Sequence, residues 1–262
     1  MKLPTGLLFE LRGLMGAIQE EASPDPARPI VVSGMLCEQL ARELSVGAAP
    51  GAVLVADAGS RQPGEVRVHV MAGEPTTADE ALVREADHDG TPVVLVQLWP
   101  QEQWTPPFVL TPFVVECRAG EGFPTEDIGR KIVEAAENWT QLARRVPVLH
   151  EIVADKLVRS SVIRAALLGA LGGRERESRS ALTLEQTRTV ARLQSLQDGL
   201  RSDELSLVAG AAASAVALGF LFREAASRAR DVLPAPVANA AVAAGATWAL
   251  ATAARRVSLP TG

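Results

Sequence analysis

Five short runs of β-branched and other apolar residues alternate with helix-like stretches in the first 137 residues, and this alternation constrains the fold of the chain most. Turns rich in Gly, Pro and Asp separate the runs. The pattern predicts an α/β domain with a mainly parallel sheet, because parallel neighbours are joined by crossovers that are usually helical. The predicted strands are 29–33, 52–56, 66–71, 92–97 and 113–117, and the predicted helices are 35–46, 77–87 and 125–137.

The second half of the chain has a different pattern. It contains no strand-like run, and helical periodicity predicts an all-α domain, a helical bundle with two alanine-rich apolar helices. Residues 139–171 are predicted to form one or two helices, with Pro147 at a start or a kink. Residues 172–180 are predicted to be a charged connector. Thr183–Gln186 matches a capping box that would open the next helix.

The N-terminal stretch 6–22 carries apolar residues at helical spacing, which predicts an amphipathic helix. The sequence SPDPARP at 23–29 would end it. Three regions are therefore expected: an N-terminal helix at 1–22, an α/β domain at 23–137 and a helical domain at 138–257.

Charge differs between the two halves of the chain. Residues 1–137 hold 10 Lys and Arg against 21 Asp and Glu, whereas residues 138–262 hold 16 against 10, so the net charges are −11 and +6. The acidic first half argues against a nucleic-acid surface there. The first residues lack the features of a signal peptide, so a cytoplasmic protein is expected.

Cysteine and histidine spacing predicts neither a metal site nor a disulfide framework. Cys37 and Cys117 are 80 positions apart and are expected to be small buried hydrophobic residues. His69, His88 and His150 are scattered, without acidic partners at ligand spacing. Ser33-Gly34 lacks the G-x-S-x-G pattern of a nucleophile elbow, and no partner of His69 is implied by the sequence.

The stretch IVVSGMLCEQLARE at 30–43 has the outline of a strand that enters a helix through a glycine turn, as in phosphate-binding loops. Later come GTPVVLV at 90–96 and GEGF at 120–123. Together these residues resemble a small GTPase-like domain over roughly 29–137. The resemblance implies a nucleotide-binding scaffold.

The residues that would carry nucleotide chemistry are replaced. Counting from Gly34, the positions of the phosphate-loop Gly, Lys and Ser/Thr hold Gln39, Leu40 and Ala41. The guanine-reading Asn-Lys-x-Asp would start near Gln97 and corresponds to Gln-Leu-Trp-Pro. Phosphoryl transfer depends on the charges that are missing. The sequence therefore predicts a degenerate, pseudo-GTPase domain that is not an enzyme and holds no cofactor.

An aromatic, proline-rich loop at 98–113 takes the place of guanine recognition. It contains the candidate interaction residues Trp99, Trp104, Phe108 and Phe113. Rigid aromatic loops suit partner binding, because little entropy is lost when they bind. Alternatively, these rings cover the sheet edge where a base would otherwise lie.

The alanine-rich stretches 205–222 and 232–254 are long enough to cross a bilayer. Together with the preceding TLEQTRTVARLQSLQDGL they resemble the helical domain of the bacterial YcjF type, which implies membrane association. Three arginines, Arg223, Arg228 and Arg230, lie in the segment that joins the stretches, and a spanning hairpin would move them across the membrane. A soluble or peripherally attached bundle is therefore favoured over a hairpin span.

The function expected from the sequence is that of a non-catalytic adaptor or scaffold. Its α/β domain would serve as an interaction surface, and its helical domain would provide self-association or membrane attachment. Expected partners are a protein or a second copy, with a membrane surface as a further one, and neither nucleic acid nor nucleotide. Two alternatives remain: an NTPase of atypical chemistry completed by a partner, and an integral membrane protein with two C-terminal spans. The expected location is the cytoplasm, with attachment to the inner face of the cytoplasmic membrane as a variant.

Overall fold

A computed structural model describes residues 28–57, 62–100, 113–118, 120, 122–171, 176–198, 228 and 233–258. The predicted N-terminal helix at 6–22 and the apolar stretch 205–222 lie outside these residues.

The first half of the chain forms a sheet of five strands, all parallel, with the spatial order β2-β1-β3-β4-β5. The strands are β1 (Ile30–Gly34), β2 (Val53–Val55), β3 (Val66–Ala72), β4 (Val93–Leu98) and β5 (Phe113–Cys117). All five agree with the predicted runs to within a residue or two, which confirms an α/β fold with a parallel sheet. The finer GTPase-like assignment stays a prediction.

The strand order places a switch point between β1 and β3. The chain leaves β1 towards β2 on one side and leaves β3 towards β4 on the other. In doubly wound sheets of this order, ligands bind in the crevice outside the carboxyl ends of the strands at such a point. The loops that follow β1, β3 and β4 are therefore the place to look for a functional site.

Three helices flank the sheet: α1 (Cys37–Leu44), α2 (Thr77–His88) and α3 (Thr125–Ala135). They confirm the three predicted helices: α1 and α3 are slightly shorter than predicted, and α2 is one residue longer. Helix α2 buries Val83 and Ala86 against Met71, Val93 and Leu95 of the central strands. Those strand residues recur at every second position and therefore share one face of the sheet.

The second half of the chain is helical where it is described. It consists of α4 (Trp139–Arg145), a 3₁₀ turn (Pro147–Leu149), α5 (His150–Leu171), α6 (Arg176–Asp198) and α7 (Ala235–Ser258). One or two helices were predicted over 139–171, with Pro147 at a start or a kink; the structure has two, and Pro147 begins the turn between them.

One prediction in this half is wrong. Helix α6 begins at Arg176, so most of the predicted connector at 172–180 is helical. The Thr183–Gln186 box lies inside the helix, and the Gln186 side chain donates to Thr247 of α7 at 3.1 Å instead of capping. Arg, Glu and Ala are good helix formers, and they extend the helix past a local capping signal.

The chain divides into two compact units. One unit spans Asp25–Val153, and the described part of the other begins at Ala154. Within the second unit, α7 packs closely on α5, because a Cβ added at Gly169 would lie 2.7 Å from the Asn239 carbonyl oxygen. By length and composition, Ala235–Arg255 could cross a membrane, and it is the one such helix in the described part of the chain.

Candidate functional site at the carboxyl edge of the sheet

The turn after β1 is fixed by close contact with β3. Gly34 has φ +93°, and a Cβ there would lie 2.0 Å from the carbonyl oxygen of Val70. The same oxygen accepts a hydrogen bond from the Met35 backbone at 2.9 Å. Gly34 is therefore required by the packing of two strands, and a phosphate is not needed to explain it.

The three positions that the resemblance aligns with a phosphate loop lie in α1, and two of them are packed in the core. Leu40 and Ala41 are buried against the sheet. Gln39 is exposed, and its amide donates to Glu43 one turn later at 3.2 Å. The position of the phosphate-loop lysine is thus occupied by a core leucine, which is consistent with the predicted loss of phosphate chemistry at this loop.

A chain of hydrogen bonds links β1, β3 and α2. The Ser33 hydroxyl lies 3.0 Å from Nδ1 of His69, and His69 Nε2 lies 2.7 Å from a carboxylate oxygen of Asp79. Both Ser33 and His69 are buried. With the Nε2 proton donated to the carboxylate, Nδ1 accepts from the serine hydroxyl, so every group in the chain is satisfied.

Asp79 ends this chain of hydrogen bonds from Ser33 through His69, which we call the relay. Its carboxylate also caps α2. Its second carboxylate oxygen accepts from the backbone N–H and the hydroxyl of Thr76, each at 2.7 Å. Burial favours the neutral acid and would raise the pKa of Asp79, but the hydrogen bonds from His69 and Thr76 outweigh burial and hold that pKa below its usual 3.8. The carboxylate thus stabilises the fold above pH 3.8, and this contribution is lost as pH falls through the lowered pKa.

The relay contains the three residue types of a Ser-His-Asp triad. Its serine, however, is not accessible to a substrate, as a nucleophile must be. Only 1% of the Ser33 surface is exposed, so its hydroxyl cannot reach a substrate in this conformation. The arrangement instead ties the first turn of α2 to the two central strands. It positions the β3–α2 loop, Gly73–Thr76, at the carboxyl edge.

Sequence reasoning missed this relay. Ser33 and His69 are directly paired residues on neighbouring strands. Asp79 comes ten residues after His69, in the first turn of the returning helix. If the pairing of β1 with β3 were known, the two polar residues at the same register would indicate a hydrogen bond between the strands. The pairing itself could not be predicted from the sequence.

Gln97 of β4 connects its strand to the β3–α2 loop at the same edge. Its side-chain amide donates to the Gly73 carbonyl at 2.9 Å, and its Oε1 is buried without a hydrogen-bond partner among the described residues. The first position of the expected guanine-reading motif therefore fixes the β3–α2 loop. The Gln97 side chain is almost fully buried, so it does not face solvent as a base-reading group would.

Two large apolar residues at this edge have left-handed backbone conformations. Leu36 follows β1 with φ 53°, and Trp99 follows β4 with φ 51°. A positive φ is costly for bulky residues, by about 1–3 kcal/mol, and such strain is concentrated at functional sites. Met35, Leu36 and Trp99 are nevertheless 49%, 48% and 49% exposed. We call these three residues the edge cluster.

The residues of the edge cluster follow the two strands on either side of β3, the strand that carries His69 of the relay. Strands β1 and β4 flank β3, so their ends are about 10 Å apart at the usual strand spacing. The described loops after β1, β3 and β4 contain no Lys or Arg, but they contain Glu74. An apolar and mildly acidic edge is a poor site for phosphate and a suitable one for a protein surface.

Of the four predicted aromatic residues, the structure describes Trp99 and Phe113, and these two lie apart on the sheet. Phe113 starts β5 beside Val94, about five residues along the sheet from Trp99. Its ring lies under Lys131 of α3, with the ammonium nitrogen 5.0 Å from the ring centre. Trp104 and Phe108 lie outside the described residues. Of the four, Trp99 lies at the carboxyl edge.

The remaining candidates are dispersed. Cys117 is buried, as expected, with its thiol 3.5 Å from the Gly122 carbonyl, whereas Cys37 is only partly buried. No group of three His, Cys, Asp or Glu residues suited to a metal ion occurs in the described ranges. Comparison with family models, with curated proteins and with solved structures finds no match for this chain.

Proposed function

We propose that the chain is a non-catalytic adaptor or scaffold of the pseudo-GTPase type. Its α/β unit binds a protein partner through the edge cluster, Met35, Leu36 and Trp99. Its helical part provides self-association or attachment to a membrane surface.

The observation that carries this proposal is the pair of strained, exposed apolar residues at one edge. Leu36 and Trp99 pay a conformational cost and leave about half of their surface in water. Neither effect favours folding of the isolated chain. The exposure is explained if a partner covers these side chains, and Trp is among the residues enriched in the hot spots of protein interfaces.

In the described loops after β1, β3 and β4, this edge has no Lys or Arg that could bind phosphate, which supports the non-catalytic part of the proposal. Leu40 stands in the core where the phosphate-loop lysine is expected, and Gln97 is committed to the β3–α2 loop. The GTPase-like part of the proposal rests on the sequence resemblance, which the motifs at 90–96 and 120–123 mainly carry.

Titration calorimetry of the full chain with GTP and with GDP, each with Mg²⁺, tests the loss of nucleotide chemistry. The expected result is no saturable heat at millimolar nucleotide. A micromolar dissociation constant would contradict the proposal, and turnover of the nucleotide would favour an NTPase of atypical chemistry. A Leu36→Glu variant should bind nucleotide no differently, because Leu36 has no role in phosphate binding.

A further inference from the structure

Helix α7 has an inverted distribution of polarity. Its exposed residues, among the described side chains, are Ala235, Pro236, Val237, Ala241, Gly245, Trp248, Ala249 and Ala253. None of them carries a polar side chain other than the indole N–H of Trp248, and Trp248 and Val237 are 58% and 52% exposed. A helix in water normally presents polar residues outwards.

Two contacts join α7 to its neighbouring helices. Thr247 is buried and accepts a hydrogen bond from Gln186 of α6. The Asn239 backbone lies against Gly169 of α5, where no larger residue fits. Asn239 lies in the first half of the helix and Thr247 lies near its middle. The two contacts therefore determine which face of α7 is turned outwards.

The length of α7 would allow it to cross a membrane, but its neighbours oppose crossing. Thr247 lies near the middle of α7, and its partner Gln186 follows Glu185, which pairs with Arg164 at 2.6 Å. A spanning α7 with this packing would place that ion pair near the bilayer centre. Charged groups there cost several kcal/mol each.

We propose that α7 lies in the plane of a membrane surface, with its outward face, Val237 to Ala249, inserted among the acyl chains near the headgroups. This inference rests on the membrane attachment in the proposed function and specifies its geometry. The outward face offers hydrocarbon no unsatisfied hydrogen-bonding group apart from the indole N–H. Trp248 suits the interface, where an indole ring is favoured. Arg255, near the same end of the helix, is already paired with Asp155 of α5.

A lipid surface explains this face better than a second copy does. Protein interfaces carry a polar rim and about one hydrogen bond per 100–200 Å². The outward face of α7 has no side chain that could supply them between Val237 and Gly245. Helices that lie in the plane of a membrane insert their apolar face to a depth of about 5–10 Å.

Co-sedimentation of the full chain with vesicles of phosphatidylcholine and phosphatidylglycerol tests the proposal. We expect the wild-type chain to sediment with the vesicles, and Trp248→Glu or Gly245→Glu to lower the partition coefficient at least about tenfold. Val46→Glu is the matched control: Val46 is a 66% exposed apolar residue of the α/β unit, and its replacement should leave partition unchanged.

Two further measurements define the geometry. The Trp emission of the wild-type chain should shift to shorter wavelength on vesicle binding, and Trp248→Phe should remove most of that shift. Alkaline carbonate should release the bound chain. Retention in the membrane pellet after carbonate would overturn the in-plane arrangement, because it indicates a span.

Failure of this inference is distinguishable from failure of the proposed function. If the wild-type chain does not bind vesicles, the inference is wrong. The proposal that the edge cluster of the other unit binds a protein is then unaffected. If Trp248→Glu instead dissociates an oligomer in lipid-free buffer, the occupant of the face is a second copy. Circular dichroism of each variant checks that the helices remain folded.

Discussion

Leu36 is the residue at which conformational strain and exposure coincide most clearly. It precedes α1 as its N-cap residue, has a left-handed conformation and makes no capping hydrogen bond with its side chain. Asn tolerates this conformation and is among the best N-cap residues. A chain selected only for stability would be expected to carry Asn or Gly here.

We therefore expect Leu36→Asn to stabilise the α/β unit by about 1 kcal/mol and to weaken partner binding. The urea midpoint, with the slope unchanged, measures the first effect. Val46→Asn is the control, since Val46 is also exposed and apolar but lacks a positive φ, and it should change stability little. Destabilisation by Leu36→Asn would show that the leucine is needed for folding.

His150 gives the α/β unit a predicted dependence on pH. Burial lowers the pKa of His150 below its usual 6.5, and a hydrogen bond with the Ala143 backbone and the charge of Glu151 oppose this only in part. The folded state therefore binds the proton less well than the unfolded state. Stability is complete above pH 6.5 and is lost as pH falls through the lowered pKa.

We expect the urea midpoint of the wild-type chain to fall between about pH 6.5 and pH 5. His150→Gln should reduce that fall, because it removes the buried titrating group. His88→Gln is the control, since His88 is exposed at the end of α2. The same pH dependence in both variants would assign the effect to another group.

At the scale of elements, the crossing of α5 and α7 depends on one small residue. A Cβ at Gly169 would lie 2.7 Å from the Asn239 oxygen and 2.9 Å from Ala243 Cβ. Gly169→Leu should therefore separate the two helices and cost about 1–3 kcal/mol, measured by thermal unfolding. Gly245→Ala is the matched control, because nothing lies within 4 Å of a Cβ there, and it should stabilise the helix by about 0.5–1 kcal/mol.

The strands were predictable because their residues are β-branched and bounded by turn formers. The run PVVLV is apolar at every position, and it forms the β4 strand that is buried on both faces. The start of α6 was not predictable in the same way. A capping box at Thr183 is a local signal, and the helix formers before it override that signal.

The site was predictable only in part, since it depends on which strands are neighbours. The prediction that phosphate chemistry is lost rests on the identity of three residues, and the structure places two of them, Leu40 and Ala41, in the core. The Ser33–His69–Asp79 relay depends on strand register, which sequence spacing alone does not specify. The positive φ of Trp99 likewise results from tertiary packing, since its backbone N–H is bonded to Cys117 of the next strand.

At the scale of the whole molecule, we propose one binding surface for each unit. The edge cluster of the α/β unit is proposed to bind a protein, and the uncharged outward face of α7 in the helical unit is proposed to bind lipid. Each surface has a substitution that should impair it without unfolding the chain, Leu36→Asn in one and Trp248→Glu in the other. The effects of these two substitutions on the two activities should be separable.

The central claim, that the carboxyl edge is a protein-binding surface, is tested most directly by site-specific photo-cross-linking in cells that produce the full chain. A photoreactive benzoyl-phenylalanine is placed at position 36, at position 99 or, as the control, at position 46. The account predicts a covalent protein adduct of the same mass from positions 36 and 99 and none from position 46. Absence of an adduct at 36 and 99, or an equal yield of the same adduct at 46, would contradict it.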